Sequence, residues 1–537
     1  MPEAVPHVAV FAAVVLCAVP AVATGEEDAE APHRAGEVEL TISTETTYIE
    51  DPVRPDGTID WAAAYNERFG EGVTPENNAY VLLLRVFGVE HIDERRRAAV
   101  CEAIGRPDLV DAPGVYIGPH AFAESLHFED TREALDFAKQ LEAARDELAG
   151  LSGPEETPRA DRGELARWLE ANKEALDLLV EASERPRSFR RGVAVEAPGL
   201  TDGSLWWLGV SLRVSDGVRA LVARAAFRRE AGDIEEAMAD LLAVHKLSRL
   251  NMQGATLVDA LVAMALEHLA WQGNTALIRS GYLSAEEARA YRRQLDATDE
   301  IPSLADVCER GERMWGLRFL TLAARHGLNT VLPAWGGSIS SLPEVELDWD
   351  IVFRAANTRI DEVVTLARLE DVAVRKERQA ELAEAADMRL AEFLGRVPKD
   401  DPVGRKALAE VIEKVGTENK AKLSHAVAAA IALEPASLGA CDIRDRAAME
   451  FQLTRVGLAL VEYERETGAY PPKLAILTPK YLTAVPVDVF SGEPLRYRRT
   501  GEGFVLYSMG LNLEDDGGTA GKGMDRGDIV LRVGEAD

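Results

Sequence analysis

Tyr470-Pro471-Pro472, Tyr481-Leu482-Thr483-Ala484-Val485-Pro486-Val487-Asp488 and Phe504-Val505-Leu506-Tyr507-Ser508-Met509-Gly510 punctuate the last stretch of the chain. Just before them, Arg444–Thr467 carries Met449, Leu453, Val456, Leu460 and Tyr463, stepping by four, three, four and three. That spacing lines one stripe of an α-helix, and Gly468 follows where a left-handed C-cap belongs. Downstream, Leu495–Arg499 and Phe504–Ser508 flank the turn Thr500-Gly501-Glu502-Gly503, and Asp528–Val533 supplies a further run of β-branched and apolar residues. This pattern predicts a hairpin plus a third strand. One long helix on a small antiparallel sheet makes an α+β unit, bounded here as residues 436–537.

Upstream, helical periodicity dominates residues 37–435, so the fold class is mainly α. Thr131–Leu151 places Leu135, Phe137, Ala138, Leu141, Ala144 and Leu148 at helical intervals, and Gly163–Ala182 repeats the pattern with Leu165, Trp168, Leu169, Leu176 and Leu179. Leu205–Ile278 reads as almost continuous helix. Within it, residues 221–250 resemble one tetratricopeptide-type hairpin: Ala225 and Ala237 sit twelve apart around Gly232-Asp233, with Leu241 and Val244 at matching offsets. Leu221, Arg228 and Arg249 depart from that repeat, so an irregular helical-hairpin array is expected. Thr74-Pro75 with Asn77 has the form of a helix start, as does Ser284 with Glu287. Val38–Ile42 alternates as a short strand would. Leu328–Leu342 is a Gly/Pro/Ser loop of the length that is often functional or mobile.

The chain has 537 residues, enough for several domains. Its 60 basic against 91 acidic residues give a net charge of −31, which argues against nucleic acid or an anionic membrane as partner. Val8–Ala23 is an apolar run ending in the small-x-small pattern Ala21-Val22-Ala23. It is short for a membrane span and fits an export signal over residues 1–24, followed by an acidic linker over 25–36. No Lys or Arg precedes the run, so an uncleaved N-terminal anchor is the alternative; otherwise the mature chain is expected to have no membrane span. An extracytoplasmic location, periplasmic or secreted, follows from the export signal. Cys101, Cys308 and Cys441 remain beyond it, widely spaced and without a C-x-x-C pair, which excludes a zinc knuckle or a dense disulfide framework; buried thiols are the simple expectation, and one bridge in an oxidising compartment is the alternative.

Catalytic patterns are sparse. The nine histidines show no H-E-x-x-H spacing, and G-x-S-x-G, phosphate-loop and dinucleotide fingerprints are absent. His268, on a largely apolar helix, is expected to be a satisfied core residue. Asp348 and Asp350 form a carboxylate pair of the kind glycoside chemistry uses, although acids also favour a helix N-terminus on electrostatic grounds alone.

Thr467-Gly468-Ala469-Tyr470-Pro471, Tyr481-Leu482, Pro486-Val487-Asp488, Gly492-Glu493-Pro494-Leu495-Arg496-Tyr497, Phe504–Gly510 and Asp528-Ile529 together resemble the globular domain of the major pseudopilin of type II secretion. The resemblance covers only the C-terminal unit. It departs from that family in placing the unit behind a long helical region, where the family carries an apolar filament helix. The helical remainder is similar to uncharacterised bacterial envelope proteins with the same tail. The resemblance implies a calcium-binding loop formed by Asn512, Asp515, Asp516 and Asp528, with the Leu511 carbonyl and Asp525 nearby; hard oxygen donors on a glycine-bent loop suit Ca²⁺. An acidic turn without metal is the alternative. The expectation for the whole chain is a non-enzymatic scaffold that binds protein partners in the cell envelope. A carboxylate-dependent envelope hydrolase and a divergent secretion component stand as alternatives.

Overall fold

The computed structural model describes residues 38–92, 94–126, 128, 130–150, 160–192, 208–254, 256–331, 342, 345–395, 405–416, 419–431, 436–521 and 527–534. The export-signal and linker expectations fall outside these residues, as does Asp525. The helices are α1 Trp61–Phe69, α2 Ala79–Phe87, α3 Glu94–Ala103, α4 Pro119–Ser125, α5 Thr131–Leu148, α6 Arg162–Ala171 and α7 Lys173–Ser183. They continue with α8 Leu208–Ala231, α9 Ile234–Met252, α10 Leu257–Arg279, α11 Ala285–Asp296, α12 Leu304–Val307, α13 Arg313–His326 and α14 Leu328–Val331. The last are α15 Trp349–Ala367, α16 Val372–Leu394, α17 Arg405–Val415, α18 Lys420–Ile431 and α19 Ala436–Thr467. Three strands follow, β1 Arg496–Thr500, β2 Gly503–Ser508 and β3 Ile529–Val533. Among the described residues no helix is long and apolar enough to cross a membrane.

The mainly helical body and the small C-terminal sheet are as expected. Local chemistry explains where boundaries moved. Gly163–Ala182 is two helices because Asn172 turns its side chain onto another segment, accepting from the Ile117 N–H at 2.8 Å and donating to the Ile117 carbonyl at 3.0 Å. Thr74 and Asn77 do exchange bonds, but as a turn. Helix α2 starts later, capped by Asn78, whose buried amide also pairs with both backbone groups of Phe189. Val38–Ile42 forms no strand; the Thr46 and Thr47 N–H groups fold back on the Ser43 carbonyl. The predicted box at the start of α11 is present, with Ser284 and Glu287 satisfying each other's N–H.

Helices α8, α9 and α10 pack on one another, and Gly273 of α10 leaves room for both neighbours. A Cβ there would lie 2.4 Å from Leu241 Cδ2 of α9 and 3.2 Å from Val222 Cγ1 of α8. Helix α19 runs along both α10 and α11. The sheet has order β1-β2-β3, wholly antiparallel, with Phe504 opposite Val533 and Leu506 opposite Leu531. Phe504, Leu506, Ile529 and Leu531 are fully buried in one core with Leu453, Val456 and Leu460 of α19. Burial of each such side chain contributes about 1.5–3 kcal/mol. The same core continues through Leu277 and Ile278 of α10 back to Ala79 of α2. Gly457 allows this docking: a Cβ on it would meet Leu531 Cδ2 at 2.4 Å and Ile278 Cδ1 at 3.0 Å. Gly468 ends α19 at φ +83°, its N–H bonded to the Glu464 carbonyl.

Candidate functional site

Among the described residues, polar chemistry gathers in several places, of which the acidic loop between β2 and β3, a buried network between α9, α10 and α11, and a groove beside it bear on the candidate site.

In the acidic loop, Asp528 is the organising residue. It is 3% exposed, and its carboxylate accepts the Gly518 N–H at 2.7 Å and the Asp516 N–H at 3.4 Å. Burial raises its pKa and outweighs those two bonds, with Asp516 and Asp515 adding repulsion. Asn512 donates its amide to Asp516 at 2.8 Å, so Asn512, Asp516 and Asp528 lie together. Asp515 turns elsewhere, accepting from the Gly517 N–H and the Tyr507 hydroxyl and facing Arg496 at 3.2 Å, and these contacts lower its pKa. The Leu511 carbonyl accepts from the Lys376 ammonium. The donor set therefore fits a cation in part: Asn512, Asp516 and Asp528 are close, while cationic side chains hold Asp515 and Leu511. Among the described residues no three or more His, Cys, Asp or Glu side chains form a metal-ligating group.

The neighbouring loop has a separate organiser. Asp488, fully buried, accepts from Ser508 Oγ at 2.7 Å and from the N–H groups of Met509 at 2.9 Å and Phe490 at 3.1 Å. This fixes the turn from Pro486 to Pro494 against the end of β2, which is the structural use of the Pro486-Val487-Asp488 motif.

Sequence inspection missed the buried network. Glu267 of α10 is bonded by Arg249 of α9 and lies 2.6 Å from His245 Nδ1 of α9. Asn274 of α10 donates to the Ala270 carbonyl at 2.8 Å, which can only accept, so the amide nitrogen also faces His245 Nε2 at 2.9 Å. That makes Nε2 an acceptor and puts the ring proton on Nδ1, donating to Glu267. Tyr291 of α11 completes the chain through Asn274 Oδ1 at 2.8 Å. Burial pushes the Glu267 carboxyl up, but Arg249 and the His245 contact overcome it and hold the group at about 2. The next residue of α10, His268, is part-buried rather than in the core, its side chain 35% exposed, and it meets the buried Glu450 of α19 at 2.9 Å. Each histidine thus has a carboxylate partner from another turn or helix, which spacing along one helix does not reveal.

Phe451 of α19 covers the network, with its ring centroid 5.3 Å from that of His245 and 4.9 Å from the Arg249 guanidinium. Its other side lines a groove of about 670 Å³ between α11, α19 and the segment from Pro479 to Val489. Lys480 and the Tyr481 hydroxyl anchor that segment on Glu466.

Asp348 and Asp350 are used at the start of α15. Asp348 caps the Ile351 N–H, and Asp350 accepts from the Thr41 N–H at 2.8 Å and from Arg354 at 3.3 Å. Asn329 spans the ends of the predicted loop by exchanging bonds with Leu342, and residues 332–341 fall outside the described part. Cys101, Cys308 and Cys441 are free and buried. Burial pushes the Cys308 thiol up to about 12 and the Cys441 thiol to about 11, so both stay protonated at neutral pH. Comparison with protein-family models, with curated proteins and with solved structures gives no match.

Proposed function

We propose that this chain is an exported, non-enzymatic interaction protein of the bacterial cell envelope. The observation that carries the reading is the preformed groove between the helical body and the C-terminal unit, in which polar and apolar side chains are held in place by ion pairs and a shared core. The buried His245–Glu267 pair supports a structural use of those residues, because their hydrogen-bonding groups are committed to one another and to Arg249 and Asn274. The N-terminal apolar run supports export, and the resemblance of the tail to a pseudopilin globular domain supports an envelope setting and a calcium-stabilised acidic loop. In that loop Asn512, Asp516 and Asp528 would hold the ion, which would neutralise the crowded carboxylates.

The test is cross-linking of the tagged full chain in a bacterial host, followed by isolation from the envelope fraction and mass spectrometry. A partner recovered in near-stoichiometric amount is expected. Recovery of the chain alone, or in the cytosolic fraction, would overturn the reading.

A further inference from the structure

The fold sorts the three cysteines of the described residues into two groups. Cys101 belongs to the core that runs from α2 to the sheet. Cys308 and Cys441 share a different core, with Leu304, Ala305, Leu366 and Leu382. Cys308 follows α12 directly and opens the single π-helical turn Cys308–Glu312 that leads into α13. Cys441 lies near the start of α19, and α12 packs against that helix. Two polar contacts hold this end of α19 in place. Arg444 donates to the Ile301 carbonyl at 3.2 Å, just ahead of α12, and Arg375 of α16 bonds to Asp445. The thiols are 2% and 6% exposed, with no disulfide between them in the structure. Burial, then the charges of Glu312 and of Cys441, push the Cys308 thiol up, so the two sulfur groups sense each other across this core.

We propose that Cys308 and Cys441 close into a disulfide as the chain folds, stapling the α12–α13 junction to the head of α19, while Cys101 stays a thiol. The oxidant is a disulfide donor, the class that an oxidising compartment maintains. One cysteine loses its proton and attacks a donor sulfur, releasing a donor thiolate and leaving a mixed disulfide. The second cysteine loses its proton and attacks that mixed disulfide, releasing the other donor thiolate. Two thiols of the chain are oxidised and one donor disulfide is reduced to two thiols. Exchange belongs to the folding chain, because a thiol that the finished core keeps protonated is a poor nucleophile. The closed loop runs from 308 to 441, and long loops constrain the unfolded chain most. The staple would fix one end of the helix whose other end carries the sheet. Export, the reading given above, supplies the compartment; the pairing itself follows from the fold.

The test uses the full chain carrying Cys17→Ser, so that Cys101, Cys308 and Cys441 alone compete. The chain is unfolded in guanidinium with reductant, then refolded either in a mixture of oxidised and reduced glutathione or in a phosphine reductant. Remaining thiols are alkylated and the proteolytic fragments mapped by mass spectrometry. The glutathione preparation should give one linked pair of fragments holding Cys308 and Cys441, two hydrogens lighter than their sum, with Cys101 alkylated. It should also melt several degrees above the reduced preparation. That difference should vanish in Cys441→Ala and persist in Cys101→Ala. Three alkylated cysteines, or a bridge that includes Cys101, overturns the proposal, and the mapping needs neither alanine variant to fold. A chain recovered from the envelope with both thiols free also overturns it, while export stands. A chain that bridges on refolding but is found in the cytosol with free thiols overturns the export reading and leaves the pairing standing.

Discussion

Replacing Glu267 with Gln removes one negative charge from the junction of α9, α10 and α11 while keeping the side-chain shape. Glu267 is 1% exposed and Arg249 is 7% exposed, so the guanidinium left behind cannot recover its hydration. Breaking a buried ion pair at one end costs about 3–5 kcal/mol. The Gln carbonyl still accepts one bond, which puts the expected loss near the lower figure, about 3 kcal/mol. Against a typical domain stability of about 5–15 kcal/mol this is large. The assay is urea unfolding of the full chain, followed by far-ultraviolet circular dichroism. At neutral pH the variant midpoint should fall clearly below that of the wild type. The acid limb gives a second check. The native carboxyl sits at about 2, against an ordinary 4.5, so its contribution is complete above the ordinary value and disappears as pH falls from 4.5 towards 2. The gap between wild type and Glu267→Gln should therefore close over that window. Adding Arg249→Met to Glu267→Gln should restore part of the loss, because no buried charge then remains unpaired. Equal midpoints at pH 7, or a gap unchanged at pH 3, would refute the reasoning.

Three further outcomes are expected. His91, held low at about 4 by burial and by Arg213 and Arg97, binds its proton in the unfolded chain near 6.5 but not in the folded one. It should withdraw on the order of 2–3 kcal/mol as pH falls from 6.5 to 4, and His91→Gln should flatten that part of the stability–pH curve; identical curves would count against it. Gly457→Ala puts a methyl where Leu531 Cδ2 and Ile278 Cδ1 already stand, and should cost about 1–3 kcal/mol with a lower melting temperature, whereas an unchanged melt would show that the sheet does not dock on α19 as described. Calcium at about 10 mM should stabilise the full chain by about 1.4 kcal/mol if its Kd is about 1 mM, as for weak extracellular sites. Asp516→Asn should abolish that gain and leave the backbone bonds of Asp528 intact. A calcium-indifferent wild-type melt would make the loop an acidic turn.

The sequence determined the local elements, because their causes are local. The four-three stepping of Met449, Leu453, Val456 and Leu460 dictates one buried stripe on α19, and Gly468 supplies the positive φ that ends it. The hairpin fell where Thr500-Gly501-Glu502-Gly503 separates two strand-like runs, and Ser284 with Glu287 fixed the start of α11. The acidic loop was legible as a cluster in sequence, but its wiring was not: only the fold brings Lys376 to the Leu511 carbonyl and Arg496 to Asp515. The break at Asn172 was hidden for the same reason, since its partner Ile117 lies 55 positions away. Tertiary structure alone paired His245 with Glu267 and His268 with Glu450, set Phe451 over that network, and opened a groove between α11, α19 and the segment from Pro479 to Val489. Periodicity reports which face of a helix is apolar. Which helices then meet, and which buried charges find each other, depends on contacts between distant residues, and a one-dimensional pattern does not contain those distances.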